Sequence, residues 1–213
     1  MRYRQVLTDP IIDNNPVTLQ ILGICSAVAV TRSMWPAFVM AISVTAVLMF
    51  SNTAVSALRG IMPRSVRLVL EVTLIASAVI VADEALQAYA PETSKTLSVF
   101  VGLIITNCIV LGRAESFALN NGVRASFLDG LGNGIGYGLL LLSVAAVREL
   151  FGSGTLMDQP VFAQTADSAI FVANEFMALP ASAFFIIGLI IWALRSWKPD
   201  QVEAREFDAE DGG

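Results

Sequence analysis

Long apolar runs, each ended by a charge or a chain breaker, alternate along this sequence with short polar stretches. Reading between those stops predicts six segments, at 17–31, 35–55, 68–89, 96–112, 130–147 and 176–194. A membrane-spanning helix takes about 20 apolar residues, within a range of roughly 17–25. Backbone amides in lipid have no water to bond to, so each segment is expected to be a helix. The third is the least clean, because Glu71 and Asp83 fall inside it. Arg67 stands one turn before Glu71, and this pattern places the i, i+4 pair at one membrane surface and Asp83 and Glu84 at the other. Residues 155–175 become one long loop, whose SAIFVA patch is assigned to the interface or to a neighbouring protein.

Composition fixes the solvent. Hydrophobic residues make up 55% of the 213 and charged residues 15%, with a mean hydropathy of +0.69. A soluble domain carries roughly 25% charge, so this chain cannot clothe a water-facing surface. The net charge of −5 is weighted by Asp200, Glu203, Glu206, Asp208, Glu210 and Asp211, which form an acidic, aperiodic tail over 200–213. That tail reads as a solvated end, and nothing in the charge pattern suits nucleic acid. The start, MRYRQVLTDPIIDNNP, is too broken by Asp9, Pro10 and Asp13 for a secretory signal. If all six spans hold, one side of the membrane receives ten Lys and Arg residues and the other receives Arg32, Lys95 and Arg148 alone. The positive-inside rule then puts both termini in the cytoplasm.

Three spans precede residue 92 and three follow it, so an internal repeat must be inverted in the membrane. The expected fold is an all-α integral membrane protein of six helices in one domain, with inverted repeats at about 10–92 and 93–200. The first span of each half is short: 18 uncharged residues lie between Asp13 and Arg32, and 17 between Lys95 and Arg113. Each carries one of the two cysteines, Cys25 beside Gly23 and Ser26, and Cys108 beside Thr106 and Asn107. Short or interrupted segments at matching places in two halves point to a binding site. Cysteine in a helix is often just a small inert hydrophobe. The alternative is metal, since thiolate suits iron–sulfur chemistry. A [2Fe–2S] centre takes four thiolates, or two with two histidines. With two cysteines and no histidine, this chain can supply only half of one.

Other motifs are structural. DGLGNGIGYG spaces its glycines at 130, 132, 134, 136 and 138, which fails the dinucleotide fingerprint in every register, and no P-loop is present. No nucleotide or flavin site is expected. Gly130, Gly134 and Gly138 instead form one bare helix face suited to close packing. Glu115, Asp129 and Glu149 fall at span ends, Glu115 and Glu149 beside a basic residue, so interface anchoring is expected of them. The oxygens of Thr106 and Asn107 are candidate contacts for a passing cation.

DNNPVTLQILGICSAVAVT, LSVFVGLIITNCIVLGRAESFA, DGLGNGIGYG, RELFGSGTL and SAFFIIGLIIW resemble the D-type subunits of bacterial Na+-translocating NADH:quinone oxidoreductases over nearly the whole chain. The NCIV-x-GRAE pattern is shared with E-type subunits of the Rnf ferredoxin:NAD oxidoreductases, the alternative assembly. The resemblance implies a non-autonomous translocase component in the bacterial inner membrane. It implies a homologous six-helix partner of opposite orientation, the E-type subunit of the same complex. Cys25 and Cys108 would be this chain's iron ligands in a cluster shared with that partner. The cluster would relay electrons from a cytoplasmic NADH dehydrogenase subunit towards flavin-bearing membrane subunits, with ubiquinone reduced elsewhere and Na+ exported. An inverted-repeat solute transporter with inert cysteines and a purely structural subunit packing others through its glycine face are the competing readings.

Overall fold

The computed structural model describes residues 6–7, 10, 15–63, 66–89, 102–156, 159–160 and 175–197. They are helical apart from turns and one two-residue antiparallel pair. The helices are α1 (Ile24–Val30), α2 (Met34–Leu58), α3 (Arg67–Tyr89), α4 (Cys108–Arg113), α5 (Val123–Gly152), α6 (Glu175–Ala178) and α7 (Pro180–Trp197). A π-helical turn, Ala114–Ala118, continues α4. The strands β1 (Thr155–Leu156) and β2 (Gln159–Pro160) open the loop expected over 155–175, whose SAIFVA patch lies outside the described residues.

Among the described residues, α2, α5 and α7 are long and apolar enough to cross a membrane. At 1.5 Å per residue, the 30 residues of α5 reach about 45 Å, well past a hydrocarbon core of about 30 Å. α3 has 23 residues but carries Arg67, Glu71, Asp83 and Glu84. The outer faces are apolar, as lipid or partner helices require. On α7, Phe185, Leu189 and Trp192 are 70%, 65% and 70% exposed, while Ser182, Ala183 and Ile187 turn inward.

Three expected spans are not continuous helices; the sixth, 176–194, is interrupted at Leu179 between α6 and α7. In place of a helix over 17–31, residues 16–19 form a turn and helix begins at Ile24. The turn has a clear local cause. Asn15 Oδ1 accepts from Val17 N at 3.0 Å, and Pro16 supplies a preset φ and no orphan donor of its own. In the expected span 96–112, residues 102–105 are helical, the chain breaks at 106–107, and α4 starts at Cys108. Residues 96–101 lie outside the described part.

The core forms where α5 crosses α2, and the glycines set how closely. A Cβ on Gly130 would stand 2.9 Å from the Leu48 carbonyl oxygen, one on Gly134 2.6 Å from Thr45 Cγ2, and one on Gly138 3.1 Å from Ala41 Cβ. The i, i+4, i+8 face is therefore filled by α2, as the spacing predicts. The alternate glycines form a second face that the spacing did not reveal. A Cβ on Gly132 would lie 2.8 Å from the Leu7 oxygen, and one on Gly136 2.5 Å from the Pro10 oxygen. One helix thus accepts a neighbouring helix on one side and N-terminal backbone on the other. Met40, Val44, Leu48, Tyr137, Leu141 and Val144 are fully buried between these layers.

Replacing Gly134 with leucine is expected to destabilise the protein by about 2 kcal/mol, the usual cost of overpacking a close contact. Gly188→Ala, at a site with nothing within 4 Å of the new methyl, is expected to be neutral or slightly stabilising. Thermal unfolding in detergent, followed by loss of monodisperse protein, distinguishes the two.

Candidate functional site

Both cysteines sit in the first turn of a helix that begins inside an apolar run. The first break runs through Ile21, at φ 55°, and Gly23, at φ 80°. Left-handed backbone is costly for a β-branched residue and cheap for glycine, so Ile21 is strained while Gly23 is suited to its place. Gly23 has a second reason to lack a side chain. Its Cβ would lie 2.5 Å from Ile109 Cδ1 and 3.2 Å from the Tyr137 ring. Ile109 belongs to the other half of the chain, next to Cys108. The two breaks therefore meet.

A hydrogen bond marks the meeting point. The backbone N–H of Gly23 donates to Cys108 Sγ at 2.8 Å. Cys25 follows two residues later, exposed at the surface of the chain, and Cys108 is half-buried; both are free thiols. The second break is capped by Asn107, whose Oδ1 accepts from Ile109 N at 3.1 Å. Its amide Nδ2 donates to Ser26 Oγ at 3.2 Å, and Ser26 Oγ is 2.7 Å from Tyr137 Oη and donates to the Gly23 carbonyl at 2.9 Å. All three side chains are buried. A polar chain thus runs from α4 through α1 to the glycine helix α5 and holds the cysteine-bearing turns together.

This arrangement explains TNC within an apolar run. Asn107 caps one half-helix and reaches the other. Thr106 is exposed and its Oγ1 donates back to the Gly102 carbonyl at 2.9 Å. Asn107 Oδ1 is engaged by its own helix while Thr106 Oγ1 bonds locally, one side chain buried and the other exposed. Asn15 adds a further tie, donating from Nδ2 to the Gly136 carbonyl at 3.2 Å. Sequence reasoning missed Asn15 and Tyr137 as members of the site. The signals that could have found them were an asparagine directly before a proline and a lone phenol in a run of glycines.

The charged residues at the ends of α5 are not interface anchors. Arg148 is 2% exposed. Its Nη1 donates to Thr31 Oγ1 at 2.9 Å and to the Val28 carbonyl at 3.4 Å, at the C-terminal end of α1. Its Nε and Nη2 donate to the Met177 and Leu179 carbonyls at 3.2 and 3.0 Å. A cation there answers carbonyls that a helix end leaves open. Glu149 does the converse, accepting the Met34 N–H at 2.6 Å at the start of α2. Adjacent residues of one helix therefore cap two others in trans. At the opposite end, Asp129 is buried and takes both Nε and Nη2 of Arg113, with Asn133 and Asn52 amides donating at 3.0 and 3.3 Å. Arg113 also lies 5.2 Å over the Phe117 ring.

Among the described residues, no group of three or more His, Cys, Asp or Glu side chains gathers at one point. Two thiols held at one junction, one of them at the surface, match in number and chemistry two donors of a four-thiolate set.

Asn107→Ala removes a cap and a buried interhelical bond, and an expected loss of about 2 kcal/mol follows. Gly23→Ala is expected to cost at least as much, because it combines strained φ with a direct clash. Tyr137→Phe removes only the hydroxyl and is expected to cost about 1 kcal/mol. Denaturation midpoints of the three variants check the network, with Tyr137→Phe expected to stay nearest the wild type.

The model of the family described as "Rnf-Nqr subunit, membrane protein" matches residues 3–191. The chain is 54% identical to the D subunit of the Na+-translocating NADH-quinone reductase of Shewanella halifaxensis, over 95% of this chain and 96% of that one. The D subunits of the same reductase in Shewanella frigidimarina and Shewanella oneidensis are 55% and 54% identical over the same shares. A family match over most of the chain, joined to relatives this similar over nearly their whole length, places the protein: it belongs to the Rnf-Nqr family of membrane-protein subunits.

Proposed function

We propose that the chain is the D-type membrane subunit of a Na+-translocating NADH–quinone reductase and carries half of an intramembrane electron relay. It is not active alone. Cys25 and Cys108 supply two thiolates of a [2Fe–2S] cluster, and a homologous E-type subunit supplies the other two. The observation carrying this reading is the bond from Gly23 N–H to Cys108 Sγ, which joins two breaks 85 residues apart in sequence. An inert pair of cysteines needs no such junction. The identity to chains named as D subunits of the reductase supports that assembly over an Rnf-type one.

When bound, the cluster would supply one-electron transfer between a cytoplasmic NADH dehydrogenase subunit and flavin-bearing membrane subunits. The chain's own residues do the rest. Gly23 holds the Cys108 sulfur by an amide hydrogen bond, the kind of contact that tunes iron–sulfur potentials. Ser26, Asn107 and Tyr137 fix the spacing of the two turns. Ile109, fully buried and packed against Gly23, excludes water on the chain's inner side. Exposure of Cys25 leaves the partner's side open.

The same reading assigns six spans in two inverted repeats, with Gly23 and Asn107 at corresponding breaks, and both termini in the cytoplasm of a bacterial inner membrane. A one-electron change at a cluster held by Cys25 and Cys108 would be strongly felt by these half-helices in a medium of low dielectric, and a bias of access to the two sides of the membrane by that field would couple quinone reduction to Na+ export.

In the assembled complex, Cys108→Ala and Cys25→Ala are each expected to abolish a reduction-dependent iron EPR signal, quinone reduction and Na+ export together. Retention of all three in either variant overturns the shared cluster. A green fluorescent protein fused to the C-terminus is expected to fluoresce, and an alkaline phosphatase fusion to stay inactive; the opposite pair of results reverses the orientation.

A further inference from the structure

Glu71 is fully buried on α3, and among the described residues no hydrogen-bond donor reaches either carboxylate oxygen. The cation facing it is Arg67, with Nε 3.9 Å from Glu71 Oε1. That guanidinium is shared: its Nη2 donates to Glu115 Oε1 at the shorter distance of 3.3 Å. Glu115 stands on the π-helical turn that follows α4, with its side chain half exposed. Among the described residues, no further charge balances the pair. α2, the helix packed against α3, has no charged residue anywhere in Met34–Leu58. Arg113, the basic residue ending α4, is held by Asp129. Two carboxylates therefore share one guanidinium, and water solvates only Glu115.

A carboxylate removed from water without hydrogen bonds is strongly disfavoured, and such a group takes up a counter-charge. A buried ionisable group in a membrane domain that, unlike Asp129, finds no hydrogen-bond partner calls for a functional account. A π-turn, an arrangement often found at functional sites, brings Glu115 to Arg67 and so draws the guanidinium away from Glu71. Glu71 brings a single negative charge, which one monovalent cation neutralises, whereas a divalent ion is usually held by several carboxylate and carbonyl oxygens. We propose that Glu71 is a binding site for one small monovalent cation, a proton or a sodium ion, exchanged at the Arg67 end of α3. Occupancy leaves Arg67 to Glu115, and release draws it back to Glu71. The proposal does not depend on the shared cluster.

Infrared difference spectra of the intact complex, between acid and alkaline media with choline as the only other cation, test this in the carbonyl-stretch region of protonated carboxyls. A band present in the wild type and lost in Glu71→Gln is expected. Its loss on adding sodium at constant pH identifies sodium as a competing occupant, and its persistence identifies the proton alone. Wild-type and variant spectra that coincide overturn the proposal. If Glu71→Gln fails to assemble, Glu71→Asp serves instead: a shifted band supports the site and an unchanged spectrum overturns it.

Discussion

A hydrocarbon medium leaves no backbone polar group free, and the rest of this structure follows from how two interrupted helices meet that requirement. Breaking an apolar run exposes up to four donors or four acceptors at each new end. The breaks at Ile21–Gly23 and Thr106–Asn107 answer one another. Asn107 caps its own helix and donates to Ser26; Gly23 donates across to a sulfur of the other half. Each break thus supplies a partner to the other. The pairing leaves the two cysteines in adjacent turns with helix starts behind them, an arrangement that continuous helices over 17–31 and 96–112 would not produce.

The same requirement accounts for the buried charges. Arg148 directs its donors to carbonyls near the end of α1 and around α6, and Glu149 accepts an open amide at the start of α2. At the other end of α5, Asp129 is surrounded by Arg113, Asn52 and Asn133. Each charge is matched where it lies, as low dielectric demands. Glu71 stands apart from this pattern, which is why it attracts a functional reading and Asp129 a structural one.

The glycine helix joins these networks into one frame. Its bare face against α2 sets the distance between the two longest helices, and its other bare face admits the N-terminal backbone beside Asn15. Tyr137, between Gly136 and Gly138, is then the large side chain at that level of α5 and projects to Ser26. Close packing and the polar junction depend on each other: side-chain-free faces fix the backbones, and one phenol fixes the turns.

Much of this was legible in the chain itself. Apolar runs between charges predict α2, α3, α5 and α7 to within a few residues at most ends, because a helix in lipid is selected by length and hydropathy alone. The i, i+4, i+8 glycines predict the face toward a neighbour, since removing side chains has one geometric consequence. The short first span of each half, each with one cysteine, marks where the candidate site lies. Sequence could not reveal which groups repair the breaks. Asn107 to Ser26, Gly23 to Cys108 and Arg148 to Thr31 join residues 81 to 117 positions apart. Hydrogen bonds of that kind depend on distance and direction in space, which hydropathy and spacing do not encode. A charge at the end of a run reads as an anchor at the water boundary; only the packed helices decide whether it meets water or another helix's open end.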